Sequence, residues 1–154
     1  MSTLQEPALS APPASLARCL VVDDDDLVRH ALVRVVEGQG LACIQAGSGV
    51  QALEQLERQG EVPIVISDIH MPEMDGLELL RRLRERWPDT AVIMLTAVAD
   101  VETAVSCMQL GAADYIAKPV VGDEVRTRVT RALEKRELTL QNRFYQQHLE
   151  TRVR

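Results

Sequence analysis

The chain has 154 residues and a mass of 17.1 kDa, which is the size of one domain with a short extension. Hydrophobic residues make up 46% of it and charged residues 26%, which excludes a mainly disordered protein because there is ample apolar surface to bury. No apolar run approaches the roughly 18 residues of a membrane span, and residues 1–17 lack the pattern of a secretory signal. We therefore expect a cytoplasmic protein with reduced cysteines and no membrane partner.

Charge is distributed unevenly along the chain, whose net charge is −6. Residues 1–123 carry 19 acidic and 9 basic groups, whereas residues 124–154 carry 4 acidic and 8 basic groups. An acidic body argues against nucleic acid as a direct ligand. In the basic end the charges are mixed rather than clustered, so we interpret it as a solvated helix face rather than a nucleic-acid patch.

Strands and helices alternate in the predicted secondary structure. After a proline-containing leader, residues 1–17, apolar runs predict strands at 19–22, 41–45, 63–66, 91–95 and 115–117. Helical periodicity and capping residues predict helices at 27–37, 48–56, 75–87 and 100–110, and a last helix from 122 onward. Strands without polar alternation, each followed by a helix, indicate an α/β fold with a doubly wound parallel sheet.

Polar side chains follow four of the five predicted strands. Asp23 and Asp24 end the first strand, Asp68 ends the third, Thr96 the fourth and Lys118 the fifth. In such a sheet these ends meet at one edge, where ligands bind. Three converging carboxylates repel each other and predict a cation, for which Mg²⁺ is the natural choice. With an ammonium and a hydroxyl added, the edge predicts a phosphoryl receptor in which Asp68 is the nucleophile.

These residues stand in motifs that resemble the receiver domains of two-component response regulators, including the chemotaxis response regulator. The resemblance covers residues 18–137 and implies a five-stranded sheet in the order 2-1-3-4-5 with five helices, the last extended. The motifs that carry it are Leu20-Val-Val-Asp23-Asp24, Val65-Ile-Ser-Asp68, Met71-Pro-Glu-Met-Asp75-Gly76, Leu95-Thr96-Ala97 and Asp114-Tyr115-Ile-Ala-Lys118-Pro119.

The resemblance also implies the metal site. Asp68 would be the phosphoacceptor, and Asp23 and Asp24 would hold Mg²⁺ together with Asp68 and the backbone carbonyl of His70. The His70 side chain is a less favoured metal ligand, because no other histidine lies at ligand spacing. We expect it to lie at the edge of the site and to affect hydrolysis of the phosphoaspartate.

Phosphoryl contacts and a switch are implied by the same resemblance. Thr96 and Lys118 would contact the phosphoryl group, and Tyr115 would turn inward when Thr96 moves. The peptide bond before Pro119 would be cis. The phosphoryl donor would be a sensor histidine kinase or a phosphotransfer protein. The chain would then be a signalling module whose only chemistry is its own phosphorylation and dephosphorylation.

Two other functions are compatible with parts of the sequence. A haloacid-dehalogenase-like phosphohydrolase would use Asp23 as its nucleophile, with Asp25 completing the Asp-x-Asp pattern. Leu27 stands where that family has Thr or Val. A phosphorylation-independent interaction module is the third interpretation, and the intact acidic site argues against it.

Residues 138–154 extend beyond the expected receiver domain as a helical linker. A 4-3-4-3 spacing predicts a short heptad seam, and the alternative is a solvated helix. The seam predicts a homodimer, formed also by the face of the fourth helix, fifth strand and fifth helix. The extension resembles linkers of response regulators with an HD-GYP-type phosphodiesterase domain, so the chain would be part of a longer protein. The seam residues are Leu138, Asn142, Tyr145, Leu149 and Arg152.

Overall fold

In the computed structural model, residues 18–97 and 100–153 are described, so the predicted leader lies outside the described residues. Five strands alternate with five helices in this part of the chain, as the sequence predicts. The strands are β1 (Arg18–Val22), β2 (Ala42–Ala46), β3 (Ile64–Asp68), β4 (Ala91–Thr96) and β5 (Asp114–Ala117). The helices are α1 (Asp26–Gly38), α2 (Gly49–Gln59), α3 (Gly76–Arg86), α4 (Val101–Gln109) and α5 (Gly122–Val153).

The five strands form one parallel sheet in the order β2-β1-β3-β4-β5, which confirms the predicted fold. Helices α1 and α5 pack their apolar residues on one face of the sheet. The apolar residues of α2, α3 and α4 cover the other face. Both faces are therefore buried, and the carboxyl ends of the strands form the edge on which the sequence predicts functional groups.

Local boundaries follow the capping residues, and most lie within one to three residues of the sequence prediction. Asp25 is the N-cap of α1, and its side chain accepts hydrogen bonds from the N–H groups of Leu27 and Val28. Gly38, one residue beyond the predicted helix end at 37, is the last helical residue, and Gly40 takes the positive φ of 102° that turns the chain. Strand β2 begins one residue later than predicted, at Ala42, because the Leu41 N–H still donates to the Val36 carbonyl of α1 at 3.3 Å.

Gly76 opens α3 directly against the backbone that follows β3. Its N–H donates to the carbonyl of Ile69 at 2.7 Å. A Cβ at this position would lie 2.6 Å from the Cα of Ile69 and closer still to the carbonyl oxygen of Asp68. Only glycine fits this close approach, which holds the start of α3 next to the last residue of β3.

We expect Gly76→Ala to lower the free energy of unfolding by about 3 kcal/mol, because backbone atoms cannot move aside for the methyl group. Urea unfolding would measure the change. Gly38→Ala is the matched control, because a Cβ at that position would meet no atom within 4 Å and alanine favours a helix. Equal stabilities of the two variants would contradict the steric role of Gly76.

Helix α5 is continuous over 32 residues, or about 48 Å at 1.5 Å per residue. Asp89, in the turn before β4, holds it at two points. Its carbonyl accepts from Arg136 Nε at 2.7 Å, and its carboxylate pairs with Arg143 at 2.8 Å. The helix therefore still contacts the domain beyond residue 137, where the sequence predicts the linker to start. Within the described residues, no helix has the length and apolar character that crossing a membrane requires.

Candidate functional site

The carboxyl ends of the strands bring the predicted polar residues to one edge of the sheet. Asp68 is the last residue of β3 and Thr96 the last of β4, while Asp23 and Lys118 directly follow β1 and β5. The Lys118 ammonium lies 3.2 Å from Asp68 Oδ1 and 3.5 Å from Asp23 Oδ2. The Lys118–Pro119 peptide bond is cis. One ammonium group thus contacts carboxylates from two different strands.

Asp23, Asp24 and Asp68 form an acidic cluster in which one oxygen from each lies within 4.8 Å of the others. Asp23 is fully buried and Asp68 is buried, whereas Asp24 is exposed. Asp23 Oδ1 accepts from the Asp25 N–H at 2.9 Å, but Asp23 Oδ2 is buried and accepts no hydrogen bond from the described residues. A buried oxygen whose partner among the described residues is the Lys118 ammonium at 3.5 Å, beside two other carboxylates, fits a hard divalent cation such as Mg²⁺.

The electrostatics of the cluster favour a cation. Burial raises the pKa of Asp23, and the carboxylates of Asp68 and Asp24 raise it further, against the opposing effects of the Asp25 N–H and of Lys118. Burial lowers the pKa of Lys118, but Asp68 and Asp23 together outweigh this effect and leave the pKa raised. Lys118 therefore stays charged, yet a single ammonium does not offset all three carboxylates.

Thr96 and Tyr115 lie on adjacent strands and differ in exposure. Thr96 is buried, and its hydroxyl donates to the carbonyl of Ala97 at 3.1 Å. Its own carbonyl accepts from the Lys118 N–H at 2.7 Å. The Tyr115 side chain is partly exposed and lines a shallow cavity against α4, together with Val101 and Met108. The ring is thus in an outward position, with the buried threonine one strand away.

The His70 side chain lies outside the acidic cluster. It is largely exposed, and Nε2 is 3.5 Å from Asp100 Oδ2. The Asp100 carboxylate also caps α4 by accepting from the Thr103 N–H at 3.2 Å. Hydrogen bonding by Thr103, with a smaller effect of His70, lowers the pKa of Asp100. This contact, which the sequence does not predict, connects the loop after β3 to the start of α4.

Arg29 is a second feature of the site that the sequence pattern does not reveal. Its guanidinium donates to the backbone carbonyl of Asp23 at 2.7 Å, to Asp26 at 2.6 Å and to Gln45 at 3.0 Å. These bonds hold the loop after β1 against α1 and β2. The three-residue spacing from Asp26 predicts the helical ion pair, but nothing in the sequence indicates the contact with the Asp23 carbonyl.

The family model described as "Response regulator receiver domain" matches residues 19–130. This chain belongs to that family. The match covers most of the chain, including all five strands except the first residue of β1, and the residues at their carboxyl ends. Membership of the receiver family does not favour the haloacid-dehalogenase-like alternative, in which Asp23, after the first strand, would be the nucleophile.

Curated relatives and solved structures agree with the family assignment. The chain is 43% identical to the DNA-binding transcriptional regulator NtrC of Escherichia coli (strain K12) over 113 residues, which are 73% of this chain and 24% of that protein. It is 39% identical to the regulatory protein AtoC of the same strain over 137 residues, 89% of this chain and 30% of that protein. A response regulator receiver domain protein from Clostridium thermocellum superposes with a TM-score of 0.75 and 30% identity, over 80% of this chain and 99% of that one.

The chain thus spans about a quarter of the length of the curated relatives that it matches. It is a receiver domain of the two-component response regulators, a signalling module similar to those of NtrC-type regulators. The resemblance of the extension to HD-GYP linkers stays a prediction.

Proposed function

We propose that this receiver accepts a phosphoryl group from the phosphohistidine of a sensor histidine kinase, or of a phosphotransfer protein, onto the Asp68 carboxylate. The observation that carries the proposal is the position of Asp68, whose Oδ1 lies 3.2 Å from the Lys118 ammonium in one cluster with the carboxylates of Asp23 and Asp24. Asp68 Oδ1 accepts from the Ile69 N–H at 2.9 Å, which fixes the orientation of the carboxylate. The other oxygen of Asp68 is then left for attack on phosphorus.

Asp23, Asp24 and Asp68, with the backbone carbonyl of His70, would hold Mg²⁺. When bound, the metal neutralises charge on the phosphoryl oxygens. Arg29 supports the site by holding the Asp23 backbone, and Lys118 binds a phosphoryl oxygen from the other side. Thr96 donates a hydrogen bond to the same group once its hydroxyl leaves the Ala97 carbonyl.

Phosphorylation would switch the face formed by α4, β5 and α5. Movement of the Thr96 hydroxyl towards the phosphoryl group would vacate space beside β4, and the partly exposed Tyr115 ring would fill it. The outward ring lies against α4, so its inward turn changes the surface that this helix presents. That surface carries the exposed apolar side chains Val101, Val105 and Met108, which would contact a protein partner.

The chemistry of the proposed receiver is confined to its own phosphorylation and dephosphorylation, in the cytoplasm and without direct nucleic-acid binding. Incubation with acetyl phosphate and Mg²⁺, followed by intact-mass spectrometry, tests it. We expect one phosphoryl adduct, formed only when Mg²⁺ is present. A second receiver that is known to be labelled serves as the positive control. If this chain stays unmodified while the control is phosphorylated, the phosphorylation-independent interaction module becomes the explanation.

We also propose that two chains pair in parallel through their α5 extensions and the adjoining α4–β5–α5 face. Leu138, Tyr145 and Leu149 are exposed at heptad spacing, and Asn142 lies between them on the same stripe. The side chain of Arg152, the last predicted seam residue, lies outside the described side chains. Two heptads give weak pairing alone, so the face altered by phosphorylation would add to it.

Leu138→Ala combined with Tyr145→Ala is expected to weaken self-association at least several-fold without changing phosphorylation. Sedimentation velocity over a concentration series would measure the dimer affinity. Phe144→Ala is the matched control, because Phe144 is a more exposed aromatic residue of the extension than Tyr145 yet lies off the seam, stacked on His148. Equal loss of affinity in both variants, or no loss in either, would refute the seam.

A further inference from the structure

Two of the three cysteines lie side by side on neighbouring strands. Cys19 of β1 is the register partner of Cys43 of β2 in the parallel pair. Neighbouring strands lie about 4.8 Å apart, and disulfides bridge Cα atoms about 4.4–6.8 Å apart. The backbone spacing therefore suits a covalent bond, provided that both side chains point to the same face of the sheet.

Both thiols do lie on the face that α1 covers. Cys19 belongs to the apolar cluster formed with α1 and α5, and Cys43 packs against the same cluster. Cys43 Sγ is 3.9 Å from the carbonyl oxygen of Val33 in α1, which is a weak contact. Cys19 is fully buried, whereas Cys43 is partly exposed because β2 is an edge strand of the sheet.

The pair is also chemically unequal. Contact with the Cys19 side chain lowers the pKa of Cys43, despite the opposing effects of burial and of the Glu37 carboxylate. The same contact, together with burial, raises the pKa of Cys19 well above its ordinary value. The thiol that solvent reaches is therefore the one that ionises more readily, and its buried neighbour keeps its proton.

We propose that Cys19 and Cys43 form a redox-active pair that hydroperoxides convert to a disulfide joining β1 to β2. The Cys43 thiolate attacks a peroxide oxygen, the O–O bond breaks, and hydroxide or alkoxide leaves. The Cys19 sulfur then attacks the resulting sulfenic sulfur, the S–O bond breaks, and water leaves with the Cys19 proton. For hydrogen peroxide, two thiols and one peroxide give one disulfide and two water molecules.

The pair is separate from the phosphoryl-acceptor site. It lies in the amino-terminal half of β1 and β2, whereas Asp23 follows the carboxyl end of β1 and donates its N–H to the Ala46 carbonyl at the end of β2. The inference does not rest on the proposed function, and its test needs neither Mg²⁺ nor a phosphoryl donor.

The test is peroxide treatment of the reduced full chain, followed by intact-mass analysis and non-reducing tryptic mapping. Trypsin places the three cysteines in three different peptides, because Arg29 and Arg58 separate them. We expect the mass of two hydrogen atoms to be lost, no oxygen to be added, and the Cys19 and Cys43 peptides to be joined. Two of the three free thiols would disappear.

Three variants complete the experiment. Cys107→Ala is the matched control, because Cys107 is buried in the opposite core, and it should oxidise like the wild type. Cys43→Ser, a change at a partly exposed position, should abolish the intramolecular bond. Cys19→Ala should instead accumulate a sulfenic acid on Cys43 that dimedone traps. Sulfenic acid on wild-type Cys43 without cross-linking, a bond between chains or to Cys107, or no reaction at all would overturn the inference.

Discussion

Asp68→Asn is expected to abolish the phosphoryl adduct that acetyl phosphate and Mg²⁺ produce on the wild-type chain. An amide nitrogen or oxygen cannot replace the carboxylate oxygen as the nucleophile at this position. The neighbouring carboxylates do not substitute for it. Asp23 is fully buried and has one oxygen held by the Asp25 N–H, while Asp24 is exposed and, within the described part of the chain, forms no ion pair with Lys118.

Asp68→Asn is close to isosteric, and its side-chain oxygen can still accept from the Ile69 N–H, so the fold should persist. Thermal unfolding would verify this. Asp26→Asn is the matched control. The carboxylate that it removes is exposed, lies next to the cluster, and pairs only with Arg29 among the described residues. This variant should form the same amount of phosphoryl adduct as the wild type. A phosphoryl adduct on Asp68→Asn that disappears in Asp23→Asn would identify Asp23 as the nucleophile, as in the phosphohydrolase alternative.

The alternation of strands and helices could be predicted because each buried strand is a short apolar run between helix caps. Asp25, Ser48 and Asp75 each accept a hydrogen bond from the first turn of a helix, as their positions in the sequence indicate. The grouping of Asp23, Asp68 and Lys118 was also predictable, since parallel strands place their carboxyl ends together.

Contacts between residues far apart in the sequence could not be predicted. They depend on how the helices, strands and loops pack together, whereas sequence periodicity indicates only the individual helices and strands. The pairing of His70 with Asp100 joins two loops far apart in the chain. Arg143 reaches Asp89 only because α5 runs unbroken past the amino end of β4. The register of β1 on β2 places the cysteines side by side, and the two strands are separated in the chain by helix α1, so neither strand alone indicates this pairing.

Mg²⁺ is expected to raise the melting temperature of the wild-type chain, because the folded cluster binds the ion and the unfolded chain does not. At a concentration 100-fold above the dissociation constant, the gain is about 2.7 kcal/mol, or roughly 5–10 °C for a domain of this size. Differential scanning fluorimetry with and without EDTA would measure it. Asp26→Asn should keep the full shift, whereas Asp24→Ala should lose most of it.

Asp23→Asn separates the cost of the buried charge from the gain on metal binding. Because the pKa of Asp23 is raised in the folded state, the folded chain binds its proton more tightly than the unfolded chain. The contribution of protonated Asp23 to the free energy of unfolding is therefore complete below the pKa of the unfolded chain, near 3.8. This contribution is lost as the pH rises through the pKa of Asp23 in the folded chain.

In EDTA at pH 7, the ionised Asp23 then destabilises the fold, and Asp23→Asn should melt at a higher temperature than the wild type. This difference should shrink as the pH falls towards 4, where the wild-type side chain is protonated as well. Saturating Mg²⁺ should reverse the order of the two proteins, since asparagine removes a charged ligand. A wild type that is more stable than Asp23→Asn in EDTA at pH 7 would show that Lys118 and the Asp25 N–H alone compensate the buried charge.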